Sequence, residues 1–235
     1  MLRKIPLQKA GMKSLSKHLS AAADRDFKLK PKEFYEEAAR RRNYFYVIDL
    51  KGQLFLEDCQ FRNFTSCLKD PKFLSSFFQQ LRQNNSGARA TETSIIDSPS
   101  NYQYISPCGK EINFVSQEDP HSALGFIGLE ETGDITELIY PGNIAKEKLN
   151  PVELTFSSET GRLYHTITAL PRLKGCQGLL HPSLCQILGE LITHDVDSGR
   201  YLFDWLGQRY ELRTIESNND KGLNFFEDAP AKSLR

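Results

Sequence analysis

The sequence predicts an α+β fold in which antiparallel β-hairpins pack around two core helices. Short segments rich in aromatic and β-branched residues occur in pairs, and a glycine-containing turn separates the members of each pair. Two other segments carry apolar residues at helical spacing. Residues of the AVILMFWYC set make up 39% of the chain, with 15 Phe and 9 Tyr, which is enough material for a sizeable core. No apolar run approaches the ~20 residues of a membrane span, so no transmembrane segment is expected.

The first half of the chain contains two predicted hairpins with a helix between them. Residues 44–50 and 53–57 form a hairpin about Lys51-Gly52. Asp70 and Pro71 are the residue types that begin a helix, and the apolar residues that follow share one face. Residues 83–100 are polar and indicate a loop. Residues 102–106 and 112–116 form the second hairpin, about a turn at residues 107–110.

The order hairpin, helix, hairpin also occurs in the second half, after one further hairpin. Residues 124–129 and 135–140 are expected to pair, as are residues 152–156 and 162–168. A helix is predicted over residues 182–193, and a last hairpin joins residues 201–205 to 209–213. The recurring order suggests two repeated β-β-α-β-β units packed as one body. A match between DLKGQLF and DWLGQRY favours duplication, but Asp-x-x-Gly is a common hairpin turn, so chance explains the match equally well.

The N-terminal 23 residues have the composition of a mitochondrial transit peptide. They contain five basic residues, some serines and no acidic residue, and a helical projection separates apolar from basic side chains. An ordinary solvated basic tail is the alternative. Residues 24–42 are densely charged, which indicates a surface helix from about residue 31 to 42 or else a mobile linker. We expect a single α+β domain over residues 43–215 and a disordered tail over residues 216–235.

Charge and cysteine usage exclude several classes of protein. The 30 basic and 30 acidic residues balance, but removing the basic first segment leaves a body of charge about −5, which argues against nucleic-acid binding. The five cysteines include no Cys-x-x-Cys pair, so reduced thiols are expected. The five histidines form no zinc-binding pattern, so we expect no metal and no cofactor.

The turn at residues 106–111 is the first candidate site. Lys110 would favour the reactive thiolate of Cys108, and His165 could act as its base if the fold brought the two together. With Glu111 as a further acid–base group, these residues define a candidate catalytic set. The alternative is a Pro-Cys-Gly turn that serves the backbone only.

A second candidate site would bind an anion. Arg82, Lys110, Arg162 and Tyr164, with His165 beside them, could line a pocket opposite Glu111 and Glu118, since arginine suits carboxylate or phosphate. Scattered surface ion pairs are the alternative interpretation.

Four ordered segments carry a resemblance to a known family: YFYVIDLKGQLFLED, CLKDPKFLSSFFQQLR, YISPCGKEINF and GRLYH. The chain resembles, over about residues 43–200, the eukaryotic uncharacterised protein family 0598, also described as domain of unknown function 4505. That resemblance implies no established activity and, for some members, a mitochondrial location. The match departs at residues 118–121. A more distant likeness to bacterial domain of unknown function 1285 implies repeated α/β motifs and a binding or signalling role.

We therefore expect a mitochondrial protein that binds a protein partner or a small anionic ligand and performs no chemistry. The alternative is a cysteine-dependent or acid–base enzyme that uses Cys108, Glu111 and His165. A third possibility is an assembly factor for a mitochondrial complex.

Overall fold

Two mixed five-stranded sheets and two three-stranded meanders form the part of the chain that the computed structural model describes, residues 29–85, 102–122 and 124–215. The segment 1–23, predicted to be a transit peptide, the predicted tail 216–235 and most of the expected loop 83–100 lie outside the described residues. The described helices are α1 (Lys32–Arg40), α2 (Pro71–Gln80) and α3 (Pro182–Gly189). None of these helices has the length and apolarity needed to cross a bilayer.

Sixteen strands occur in the described residues. Those before residue 120 are β1 (Asn43–Ile48), β2 (Leu54–Leu56), β3 (Arg82–Gln83), β4 (Tyr104–Cys108) and β5 (Glu111–Gln117). Those from residue 125 to 180 are β6 (Gly125–Phe126), β7 (Gly128–Thr132), β8 (Ile135–Ile139), β9 (Lys146–Lys148), β10 (Leu154–Phe156), β11 (Leu163–Thr166) and β12 (Gln177–Leu180). The last four are β13 (Ile192–Asp195), β14 (Arg200–Trp205), β15 (Gln208–Glu211) and β16 (Arg213–Thr214).

The first sheet has the order β2-β1-β5-β4-β3 and contains both hairpins predicted for this half. The hairpins are joined side by side because β1 and β5 pair in parallel. Helix α2 covers one face and begins as predicted, with the Asp70 carboxylate accepting the N–H of Phe73 at 2.6 Å. Helix α1 covers the other face, where Ala38 packs near Phe45.

The second sheet has the order β16-β10-β11-β12-β6. The predicted hairpin of β10 and β11 is confirmed. The predicted pairing of residues 124–129 with 135–140 is correct only from β7 onward. Strand β6 instead pairs in parallel with β12, where Gly178 leaves room for the fully buried ring of Phe126.

The predicted second helix is too long at its C-terminal end. Helix α3 ends at Gly189, and Ile192 and Thr193 belong to β13, which pairs with β14. β-Branched residues fit a strand better than a helix, and the pairing with the last hairpin decides their conformation. The predicted hairpin of β14 and β15 is confirmed.

One apolar core joins the two halves, and α2 and α3 are its two helices, as the sequence predicts. Phe77 and Phe78 enter it from α2, and Leu184 and Leu188 enter it from α3. The fold is α+β. Each large sheet contains a strand with one antiparallel and one parallel neighbour: β1 lies between antiparallel β2 and parallel β5, and β10 lies between antiparallel β11 and parallel β16. The halves differ elsewhere, since β13, β14 and β15 form a separate sheet.

Candidate functional site

A cleft of about 240 Å³ opens where the β1–β2 turn meets α2 and the start of α3. Its polar side chains are Lys51, Gln53 and His181. Apolar side chains form most of the remaining wall: Leu54, Leu68, Leu74, Phe78, Ile127 and Pro141. A concave, mainly apolar surface with a few convergent polar groups is the usual form of a small-molecule site.

The β1–β2 turn places Lys51 at this cleft. The Asp49 carboxylate accepts the backbone N–H of Lys51 at 2.9 Å and that of Gln53 at 2.7 Å. Gly52 adopts a φ of 74°, which a residue with a side chain rarely does. Burial raises the pKa of Asp49, while these two hydrogen bonds and the nearby charges of Lys51 and His181 oppose that rise. The turn is therefore fixed by its own sequence.

His181 comes to the cleft as the residue that caps α3. Its Nδ1 accepts the backbone N–H of Ser183 at 3.2 Å and lies 2.8 Å from the hydroxyl of the same residue. The cap uses one ring nitrogen, and Nε2 is not needed for it. The sequence predicts a helix from residue 182 but does not indicate that His181 lies in a cleft, because the other lining residues are distant in sequence.

The structure brings together two of the three candidate catalytic residues. Cys108 and Glu111 are cross-strand neighbours at the exposed tip of the β4–β5 hairpin. His165 lies in β11 of the second sheet and is 1% exposed. Its Nε2 accepts the backbone N–H of Asn150 at 3.0 Å, and its Nδ1 lies 2.8 Å from the carbonyl oxygen of Thr166. Burial lowers the pKa of His165. Both ring nitrogens thus serve the main chain, and no hydrogen bond among the described residues joins them to Cys108 or Glu111.

Two of the predicted anion-binding residues converge on a carboxylate of the chain itself. Arg162 Nη1 and the Tyr164 hydroxyl donate to Oδ2 of Asp119 at 3.1 and 3.0 Å. The backbone N–H groups of His121 and Ser122 donate to Oδ1, each at 2.9 Å. Asp119 is 2% exposed, so this pair of donors already holds a buried anion.

The other predicted binding residues lie apart from this cluster. Arg82 is exposed on the edge strand β3, and Lys110 is exposed in the β4–β5 turn. Glu118 forms an ion pair with Arg62 at 3.4 Å. The structure therefore unites Arg162 with Tyr164 and distributes the remaining residues over the first sheet.

Glu147 is a second buried carboxylate, which the sequence analysis did not identify. It accepts the Tyr140 hydroxyl at 2.6 Å, the backbone N–H groups of Thr168 and Ala169 at 2.8 Å each, and the Thr168 hydroxyl. Burial alone would raise the pKa of Glu147, but these hydrogen bonds outweigh burial and lower it. Both oxygens are occupied by the chain. No group of three or more His, Cys, Asp or Glu side chains in the described ranges is placed to hold a metal ion.

The chain matches a family model, and two solved structures are similar to it. The model "Domain of unknown function (DUF4505)" matches residues 35–216, which confirms the resemblance carried by the four sequence segments. A DUF1285 family protein from Silicibacter pomeroyi DSS-3 is 13% identical over 84% of this chain and 95% of that chain, with a TM-score of 0.41. A DUF1285 family protein from Shewanella baltica OS155 is 13% identical over 63% of this chain and 91% of that chain, with a TM-score of 0.39.

Proposed function

The chain belongs to the DUF4505 family, a domain of unknown function, and we propose that it is a mitochondrial protein that binds a small anionic molecule in the cleft without transforming it. The observation that carries the binding role is the position of Lys51 and His181 beside an apolar wall in a cleft of about 240 Å³. A lysine ammonium supplies charge and donors to an anion, and the wall removes apolar ligand surface from water. The ligand class is therefore a small acid with an apolar body.

The enzyme alternative has less support from the geometry. A general base must lie within hydrogen-bond reach of the proton that it removes. His165 uses its ring nitrogens on Asn150 and Thr166, so a cysteine mechanism at Cys108 would need another base. Lys51 and His181 line the cleft, and their residue types suit the binding of an anion.

Titration of the full chain with octanoate tests the binding site. Isothermal calorimetry should detect saturable binding of octanoate, whereas octanol, which lacks the charge, should bind about tenfold more weakly. The Lys51→Ala variant should weaken octanoate binding by about tenfold. Lys110→Ala is the matched control, because Lys110 also adjoins a turn glycine but is exposed on a hairpin tip outside the cleft lining. Octanoate binding that is absent, or equally weakened in both variants, would contradict the proposal.

The location is tested separately with the intact chain. Support for mitochondria comes from the sequence of residues 1–23, with its five basic and no acidic residues. A C-terminal fluorescent tag on the full chain should overlap a mitochondrial marker in eukaryotic cells. Replacing Arg3, Lys4 and Lys9 with glutamate should abolish that overlap. A uniform cytosolic signal from the intact chain would refute the location and leave the binding proposal standing.

A further inference from the structure

The ammonium group of Lys30 lies inside a cage of aromatic rings on the face of the first sheet that α1 covers. Its Nζ is 4.4 Å from the ring centroid of Phe34, 5.0 Å from that of Phe45 and 4.6 Å from that of Tyr102. It also donates to the Tyr102 hydroxyl. The carboxylate of Glu57 completes the cage, with Oε1 at 3.7 Å from Nζ.

The walls of this cage are fixed by the fold and do not depend on Lys30. Phe45 lies in β1, Glu57 follows β2, and Tyr102 precedes β4. The rings of Phe45 and Tyr102 pack with centroids 5.1 Å apart. The Tyr102 hydroxyl donates to Glu57 Oε2 at 2.6 Å, and the Tyr35 hydroxyl donates to Oε1 at 3.3 Å. Phe34 of α1 packs on Phe45, with ring centroids 5.1 Å apart. Three aromatic faces and a carboxylate are therefore held in place for a cation.

Glu57 is a buried negative charge in the wall of the cage. Its side chain is only 3% exposed, and a cation beside it stabilises the carboxylate. The two tyrosine hydroxyls stabilise it by hydrogen bonds but carry no charge. Burial and then Glu57 raise the pKa of Tyr35 to about 12, so that hydroxyl remains a neutral donor. Among the described residues, Lys30 is the cation that pairs with Glu57, and a cationic ligand that replaced Lys30 would supply the same charge.

The contacts of the cage also suit an alkylated ammonium. Lys30 Nζ makes a hydrogen bond to the Tyr102 hydroxyl, but its 3.7 Å separation from Glu57 exceeds the ~2.7–2.9 Å of a charge-assisted hydrogen bond, and three ring faces surround it. Ring faces recognise quaternary ammonium groups, which have no hydrogen to donate and are weakly hydrated. Lys30 precedes α1, outside any helix or strand, and its side chain is 27% exposed. A ligand can therefore reach the cage from solvent by replacing the lysine.

We propose that Phe34, Phe45, Tyr102 and Glu57 form a binding site for an alkylated ammonium group, and that Lys30 occupies this site when the ligand is absent. The site lies on the opposite face of the first sheet from the cleft, because Phe45 and Tyr46 alternate along β1 and belong to the separate apolar clusters of those two faces. It is independent of the anion-binding proposal, and either can fail without the other.

Choline is the probe for this site. The chemical control is 3,3-dimethylbutan-1-ol (dimethylbutanol below), in which an uncharged carbon replaces the nitrogen of choline. In the full chain, Lys30→Gln removes the competing charge, so choline should bind this variant at least about tenfold more tightly than it binds the wild type. Choline should also bind the variant at least about tenfold more tightly than dimethylbutanol does. Lys32→Gln, on a side chain that is 85% exposed, should leave choline binding at the wild-type level. Equal binding of choline and its isostere, or no binding to folded Lys30→Gln, would overturn the proposal.

A measurement on the wild-type chain removes the dependence on a variant. Limited acetylation followed by mass spectrometry gives the rate of modification of each lysine. Lys30 should react at least about tenfold more slowly than Lys32, and saturating choline should raise the Lys30 rate while leaving that of Lys32 unchanged. A slow Lys30 rate that choline does not raise would contradict ligand exchange and limit Lys30 to an internal ion pair. Equal rates for the two lysines would contradict the cage itself.

Discussion

The Tyr164 hydroxyl donates to Oδ2 of Asp119 at 3.0 Å, and this bond ties the central strand of the second sheet to the segment that leaves the first. Arg162, two residues before Tyr164, reaches the same oxygen at 3.1 Å. Burial, followed by the charge of Asp119, raises the pKa of Tyr164, so the phenol remains a donor at all ordinary pH values. The two halves are therefore joined by a buried polar contact as well as by their shared core.

Removal of the Tyr164 hydroxyl should destabilise the fold. Tyr164→Phe keeps the ring in the core but takes one donor from a carboxylate that is 2% exposed, so we expect the free energy of unfolding to fall by about 1–3 kcal/mol. Denaturant unfolding measures this change. Tyr210→Phe is the control, since that hydroxyl bonds Gln208 on the surface and its removal should have little effect. Equal effects of the two changes would contradict a joining role for Tyr164.

Glu147→Gln should destabilise the protein at neutral pH by at least about 2 kcal/mol. The Tyr140 hydroxyl and the backbone N–H groups of Thr168 and Ala169 donate to Oε2 of Glu147, and the Thr168 hydroxyl donates to Oε1. The substituted amide is uncharged and has only one oxygen, so it cannot accept at both positions. Glu131→Gln, on the exposed part of β7, is the control and should be close to neutral.

The acid dependence of Glu147 follows from the direction of its pKa shift. Its pKa is lowered in the fold relative to 4.5, the ordinary value. The unfolded chain therefore binds the proton more readily, and the stabilisation is complete above pH 4.5 and is lost as the pH falls through the folded pKa. The difference in unfolding free energy between wild type and Glu147→Gln should narrow below pH 4.5. A constant difference across that range would show that the carboxylate charge is not the cause.

Local features of the fold were predictable from the sequence, and pairings between distant segments were not. The turn at Lys51-Gly52 and the Asp70 cap depend on a few adjacent residues, and both are as predicted. The parallel pairing of β1 with β5 joins residues about 70 positions apart, and no local pattern encodes it. The second helix was predicted too long because Ile192 continues its apolar pattern, although pairing with Phe203 makes it a strand residue.

The cleft was not predicted because its residues come together only in the folded chain. Lys51, Leu68, Ile127, Pro141 and His181 belong to five separate segments. Each has an ordinary local interpretation as a turn, loop or cap residue. Composition and spacing could not show that they share a cavity, whereas the aromatic residues near Tyr44 did indicate a buried strand.

His165 should make stability depend on pH in the weakly acidic range. Burial lowers its pKa from 6.5, so the unfolded chain takes up the proton first. The stabilisation from neutral His165 is complete above pH 6.5 and is lost as the pH falls through the lower folded pKa. Unfolding free energies of wild type and His165→Gln, compared from pH 7.5 to about 5, should show the steeper decline in the wild type.

Exposed His194 supplies the control for this pH dependence. His194 lies on β13, and its ring stacks on that of Tyr201 with the two ring centroids 4.6 Å apart. The His194 side chain remains exposed. His194→Gln should therefore keep the wild-type slope of stability against pH. If His165→Gln also keeps that slope, the acid sensitivity arises elsewhere and His165 is not the titrating group.

Gly178 is required by the position of a neighbouring ring. A Cβ atom on Gly178 would lie 2.4 Å from Cε2 of Phe126. The Phe126 ring extends from β6 and is fully buried in the core. Gly178→Ala should therefore lower the free energy of unfolding by about 1–3 kcal/mol, the usual cost of overpacking. Thermal or denaturant unfolding of the full chain measures the loss.

A second substitution separates this steric cause from a general intolerance of alanine. Phe126→Leu removes the part of the ring that the new methyl would meet, so the double variant should lose less stability than the sum of the two single losses. Gly189→Ala tests the opposite case, because a Cβ there meets nothing within 4 Å at the end of α3, and the change should be neutral or stabilising. Additive losses in the Gly178–Phe126 pair would show that the ring is not what excludes a side chain from this position of β12.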